Sequence, residues 1–168
     1  MMHTVHTLIR SQRFASGVAV LSVAVLVGAL LMQHFLHLTP CPLCILQRYC
    51  VIALALCCVF SAVAGRRLER KLLALAGLVA VAGVSLAARQ VYLQEMPSLS
   101  TGCGPGLEYI VNSFPLTEML PMLFKGTGDC AQIDWIWHGI TVPKLSLAAF
   151  AGFSLVLGWR VWVSRPSK

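Results

Sequence analysis

From Phe14 to Met32 the chain reads FASGVAVLSVAVLVGALLM without a single charge. A second uncharged run extends from Tyr49 to Gly65, a third from Leu72 to Ala88, and a fourth from about Leu145 to Val163 is broken only by Arg160. About 20 apolar residues in a helix cross the hydrocarbon core of a bilayer. The runs therefore predict transmembrane helices at 14–32, 49–65, 72–89 and 145–163. Of the 168 residues 58% are hydrophobic and 11% charged, so little chain remains beyond the spans and one sizeable loop. The expected fold is all-α, a single four-helix membrane domain with lipid as its main solvent.

The net charge of +7 is carried by short basic groups beside the apolar runs, with no basic stripe of the kind that binds nucleic acid. These groups act as topology signals. Arg10, Arg13, Arg66, Arg67, Arg70, Lys71, Arg160, Arg165 and Lys168 fall on one side, against Arg48, Arg89, Lys125 and Lys144 on the other. The basic excess marks the cytoplasm, so both termini (1–13 and 164–168) and the RRLERK connection at 66–71 are expected there. The segments 33–48 and 90–144 are then expected outside, in a bacterium the periplasm. A cleaved leader is the alternative for the first run, but QHFLHLTPCP offers no small-x-small cleavage site, and a retained span is expected.

The outer segment between the third and fourth spans holds Glu95, Glu108, Glu118, Asp129 and Asp134, five of the six acids, and is rich in Gly and Pro. Within it, Tyr109 to Phe124 is interrupted by Pro115 and Pro121. That stretch is too broken to span yet apolar enough to lie on the membrane surface or pack on the bundle. Trp135, Trp137, Trp159 and Trp162 suit the interface, and Arg160 is close enough to a span end to reach toward the headgroups.

Seven cysteines exceed ordinary usage. Cys50, Cys57 and Cys58 lie within a span, where a thiol is a small packing residue. Cys41, Cys44, Cys103 and Cys130 lie outside the uncharged runs, all on the predicted periplasmic side, where disulfides form and persist. In Thr39-Pro40-Cys41-Pro42-Leu43-Cys44 the pair opens a helix: Pro42 fits its first position and Cys41 approximates the N-cap. Unpaired backbone N–H groups and the positive end of the helix dipole favour a thiolate there, which suits exchange. Haem attachment would need His where Ile45 stands, and a thioredoxin motif needs a βαβ setting. A zinc site would need a second short knuckle, which Cys103 and Cys130 do not form. His34 and His37 fit interfacial residues better than metal ligands, and no metal is expected.

Cys103, in Thr101-Gly102-Cys103-Gly104-Pro105-Gly106, has a glycine-rich setting that keeps its sulfur within reach of another protein. Cys130 follows Gly126-Thr127-Gly128-Asp129. On spacing alone a Cys103–Cys130 disulfide is either an exchanging pair or a staple across a long loop. Arg48 lies four residues after Cys44, one helical turn deeper on a similar face, where its charge would hold an anion, a quinone oxygen or a lipid phosphate. Arg89 and Gln90, at the outer end of the third span, are candidates for lining the same site.

The stretches CPLCILQRY at Cys41–Tyr49, RQVYLQ followed by Pro97 and Cys103, GDCA around Cys130 and the W-x-W-H-G segment resemble the DsbB family of disulfide bond formation proteins over nearly the whole chain. The resemblance implies a protein-dithiol:quinone oxidoreductase of the inner membrane. In it a periplasmic DsbA-like oxidase attacks a Cys103–Cys130 disulfide at Cys103, and Cys130 exchanges with the Cys41–Cys44 pair. Cys44 then donates to a quinone, ubiquinone or menaquinone, near Arg48, and quinol carries the electrons to the respiratory chain. Family members often carry His beside the position of Arg89, where this chain has Gln90. Relatives of vitamin K epoxide reductase also combine a bundle, a C-x-x-C and quinone, but there the shuttle cysteines precede the C-x-x-C. A non-enzymatic scaffold with a stapled loop would show no thiol turnover.

Overall fold

In the computed structural model the described residues are 2–36, 41–96, 136–137 and 140–163. They form α1 (Met2–Leu36), α2 (Pro42–Val63), α3 (Arg66–Glu95), β1 (Ile136–Trp137), β2 (Ile140–Thr141) and α4 (Val142–Val163). All four helices are long and apolar enough to cross a membrane. The chain is thus a multi-pass membrane protein with four membrane-crossing helices among the described residues.

The helices outrun the uncharged stretches. RRLERK, expected as a connection, forms the first turns of α3, and only Ala64 and Gly65 separate α2 from α3. Arg, Glu, Leu and Lys are good helix formers, and Glu69 in the first turn complements the helix dipole. At the other end α2 starts at Pro42, well before the uncharged run at Tyr49, and α3 continues to Glu95. Among the described residues the departure from an all-helical chain is the antiparallel pair β1–β2, which matches Ile136 with Thr141 and Trp137 with Ile140. The Tyr109–Phe124 stretch and Trp135 lie outside the described residues.

α2 packs between α1 and α3, and α3 between α2 and α4. The buried residues form three layers along the bundle. One joins all four helices through Ala15, Ala19, Leu54, Cys58, Leu73, Ala76, Ala80, Phe153 and Leu157. A middle layer holds Val51, Ala87 and Phe150, and the third holds Cys41, Leu43, Leu86 and Leu93. Lipid is as apolar as Leu, so helices associate here through close packing, and Ala15/Ala19 and Ala76/Ala80 at i, i+4 let backbones approach. The opposite faces present Val20, Leu78, Val63 and Leu155 to lipid.

Gly83 makes one approach possible. A Cβ there would overlap the ring of Phe150, which is itself buried. Gly83→Ala is therefore expected to destabilise the bundle by about 1–3 kcal/mol, as overpacking does. The check is thermal unfolding of the detergent-solubilised protein, with Gly83→Ala/Phe150→Leu recovering part of the loss.

Polar groups at membrane depth are answered inside the chain. Ser22, Ser61, Ser85 and Ser154 donate to backbone carbonyls three or four residues earlier. Arg160, expected to reach outward, turns into the bundle. Its guanidinium stands 4.0 Å from the Glu69 carboxylate and 5.8 Å from the centroid of the Phe14 ring, joining the start of α3 to the end of α4 and to α1. A mostly buried carboxylate is the better partner for it. Trp159 and Trp162 are exposed.

Candidate functional site

The site gathers at the start of α2. Cys41 has extended backbone (φ −70°, ψ 162°) and caps the helix: its sulfur accepts the backbone N–H of Cys44 at 3.4 Å, with Pro42 in the first turn. One helical turn brings the Cys44 sulfur to 3.0 Å from that of Cys41. Cys41 is buried and Cys44 half-buried, packed against Leu43, Leu46, Leu86 and Leu93. Two adjacent sulfurs thus stand at a helix N-terminus in apolar surroundings, close enough for exchange between them.

α3 supplies the polar partner. Gln90, buried, points its side-chain amide nitrogen at both sulfurs, 3.2 Å from Cys41 Sγ and 3.0 Å from Cys44 Sγ. Its Oε1 accepts from Nε2 of Gln47 at 2.8 Å, and Gln47 Oε1 accepts the Ser146 hydroxyl at 2.6 Å. A continuous hydrogen-bonded chain therefore runs from α4 through α2 and α3 to the cysteines. No buried side-chain nitrogen or oxygen among the described residues lacks a partner.

The other residues singled out in the sequence separate. Arg48 is half-buried and turned toward α1, where its Nη1 donates to Gln33 Oε1 at 2.6 Å. The consecutive residues Gln47 and Arg48 thus serve different neighbours, as successive helical positions must. Arg89 lies over the ring of Tyr92, 5.8 Å from its centroid. His34 is exposed and meets Phe35 edge to face. Cys103, Cys130 and His37 lie outside the described residues. Cys58 is buried in the four-helix layer and Cys50 and Cys57 pack beside the core, without a disulfide. Among the described residues no three His, Cys, Asp or Glu side chains group as metal ligands.

Sequence reasoning did not single out Gln47, Gln33 or Ser146. The available signal was their type and place: two glutamines and a serine at the ends of apolar spans, where a polar side chain needs a reason.

Thr141 Oγ1 donates to Gln94 Oε1 at 2.9 Å and Lys144 stands 3.7 Å from Glu95, so the end of α3 is held to the start of α4 beside the amide chain. The ion pair is largely exposed and adds little.

Residues 11–160 match the family model described as "Disulfide bond formation protein DsbB". A protein described as "Disulfide bond formation protein B" from Azoarcus sp. (strain BH72) is 43% identical over 151 residues, covering 84% of this chain and 87% of its own length. One of the same description from Stutzerimonas stutzeri (strain A1501) is 37% identical over 155 residues, with 90% and 95% covered. A third, from Methylobacillus flagellatus, is 43% identical over 134 residues, with 77% and 81% covered. No solved structure matches.

Proposed function

Because this chain belongs to the DsbB family of disulfide bond formation proteins, we propose that it reoxidises a periplasmic DsbA-like dithiol oxidase and passes the electrons to a membrane quinone, ubiquinone or menaquinone. The observation that carries this reading is the helix-capping pair Cys41 and Cys44, with sulfurs 3.0 Å apart and a buried amide donating to both. Such a pair suits passage between dithiol and disulfide, and it stands at the end of a membrane helix, where the aqueous and lipid phases meet. The excess of basic residues at the opposite helix ends supports an inner-membrane protein with this end in the periplasm.

The reaction proceeds by exchange through thiolates. A partner thiolate attacks the Cys103 sulfur of the Cys103–Cys130 disulfide, forming a mixed disulfide and releasing Cys130 as thiolate. Cys130 attacks the Cys41–Cys44 disulfide and frees Cys44. The partner's second thiol closes its own disulfide, and the exchanges leave Cys41 and Cys44 as the reduced pair. Their reoxidation releases two electrons and two protons. A bound quinone supplies the acceptor, so the sum is partner dithiol plus quinone to partner disulfide plus quinol, which returns to the respiratory chain.

The residues present fit such a group. The Arg48 guanidinium is half-buried near the end of a lipid-facing helix, one N–H is committed to Gln33, and its planar fork offers further donors to an oxygen. Phe35, Tyr49 and Ile52, close in sequence to Gln33 and Arg48, are exposed to lipid, the phase from which an apolar acceptor arrives. Arg89 and Gln90 belong to the same end of the bundle, with Gln90 serving the sulfurs.

The test is to mix purified protein with a reduced DsbA-like partner and ubiquinone, following quinone absorbance and partner thiols together. One quinone should be consumed per partner disulfide formed, and Cys44→Ala should bring both to background. Partner oxidation that continues without quinone consumption would overturn the assignment.

A further inference from the structure

The amide chain beside the cysteines has a direction. A thiolate needs a donor, so Gln90 presents Nε2 to the sulfurs and is left with Oε1, which takes the amide N–H of Gln47. Gln47 is left in turn with Oε1, which takes the Ser146 hydroxyl. Gln47 and Gln90 are both buried and each is bonded at both ends. Reversing Gln90 would aim its carbonyl oxygen at the sulfurs and set two amide nitrogens against each other. Three helices therefore fix the orientation of one side chain.

From this geometry we propose that Ser146 and Gln47 are positioning residues. They hold the Gln90 amide on the Cys41 and Cys44 sulfurs and thereby set the thiol–disulfide equilibrium of that pair. The inference rests on the reading of Cys41 and Cys44 as a redox pair. An amide carries no charge and does not titrate, so the donor persists at any pH of the compartment. It can serve whichever sulfur is charged, since both lie within 3.2 Å of the one nitrogen. A hydrogen bond strengthens with charge on the acceptor, so the reduced pair, which can be a thiolate, gains more from Gln90 than the disulfide does. The chain therefore makes the pair a stronger oxidant. Losing the donor favours the disulfide and lowers the reduction potential.

The test titrates the pair against glutathione redox buffers. It uses a Cys103→Ala/Cys130→Ala background in detergent, with Cys41 and Cys44 read by alkylation and mass, so that neither a partner nor quinone is needed. Gln90→Leu should shift the equilibrium about tenfold toward the disulfide, about 30 mV for a two-electron couple. Gln47→Leu should shift it several-fold in the same direction. Ser146→Ala, whose residue is three hydrogen bonds away from the sulfurs, should shift it by about twofold to threefold, and Ser146→Thr, which restores the hydroxyl, should return it. Should Gln90→Leu fail to fold, the Ser146→Ala and Ser146→Thr pair decides alone. An unchanged equilibrium in Ser146→Ala and Gln47→Leu overturns the proposal, whatever Gln90→Leu does. Quinone reduction is measured in parallel on the unaltered protein. Its absence, together with the predicted glutathione shifts, would sink the quinone reading and leave the amide chain standing.

Discussion

Cys103→Ala is expected to abolish capture of the dithiol partner, and Cys130→Ala to trap the partner's oxidised form as a mixed disulfide. The two cysteines occupy different steps of exchange. If Cys103 is the sulfur that a partner thiolate attacks, its removal leaves nothing for the partner to bond, and partner oxidation falls to the rate without protein. In Cys130→Ala the Cys103 thiol offers no disulfide to a reduced partner. As thiolate it attacks the disulfide of the oxidised partner, forming the mixed disulfide and releasing one partner thiolate, and Cys130 is absent to displace the partner from Cys103. The mixed disulfide then accumulates. The sequence supports this order, because Cys103 stands between Gly102 and Gly104, which leave little side-chain bulk to hinder an incoming protein. The measurement is non-reducing electrophoresis of acid-quenched mixtures, Cys130→Ala with oxidised partner and Cys103→Ala with reduced partner, beside the rate of partner oxidation. Undiminished oxidation by Cys103→Ala would make the loop disulfide a staple and route the partner directly to Cys41.

The scaffold of this site was open to reading from sequence because lipid imposes a simple rule. Every backbone polar group must be answered within the segment, so long uncharged runs become helices. The helix ends were less legible. Charged residues such as those of RRLERK lower hydropathy without lowering helix propensity, so α3 starts at Arg66 although the apolar run starts at Leu72. The cap was legible because Pro42 and Cys41 are local signals, and the structure shows Cys41 capping α2. The Ser146–Gln47–Gln90 chain was not. Its residues are separated by 43 and 99 positions in sequence, and their meeting depends on how α2, α3 and α4 are rotated against each other. In a bundle that is apolar on all sides, periodicity does not report that rotation. Arg160 shows the same limit. Position alone suggested an outward reach, and only packing brings Glu69 and Phe14 close enough to hold it inside.

Arg48→Ala is expected to slow electron delivery to quinone by at least about tenfold and to raise the apparent quinone KM, while exchange with the partner survives. The guanidinium is turned toward α1 and held by Gln33 at 2.6 Å, whereas the sulfurs are served from α3 by Gln90. Arg48 can therefore act on an acceptor without being part of the hydrogen bonding that tunes the thiols. Removing one well-ordered donor to developing oxygen charge lowers a rate by about 100-fold to 1000-fold, and less where water substitutes, as it can near a membrane interface. Arg48→Lys should recover part of the loss, because a point charge replaces a planar fork. Gln33→Leu should reproduce part of it, since the fork stays charged but loses its anchor. The decisive measurement sets quinone reduction against quinone concentration beside a single turnover of partner oxidation by preoxidised protein. If Arg48→Ala leaves quinone kinetics intact, or slows only the single turnover, the guanidinium serves lipid or the thiols and the acceptor binds elsewhere. A rise in KM shared by Arg48→Ala and Gln33→Leu, with the single turnover unchanged, would place the acceptor between α1 and α2.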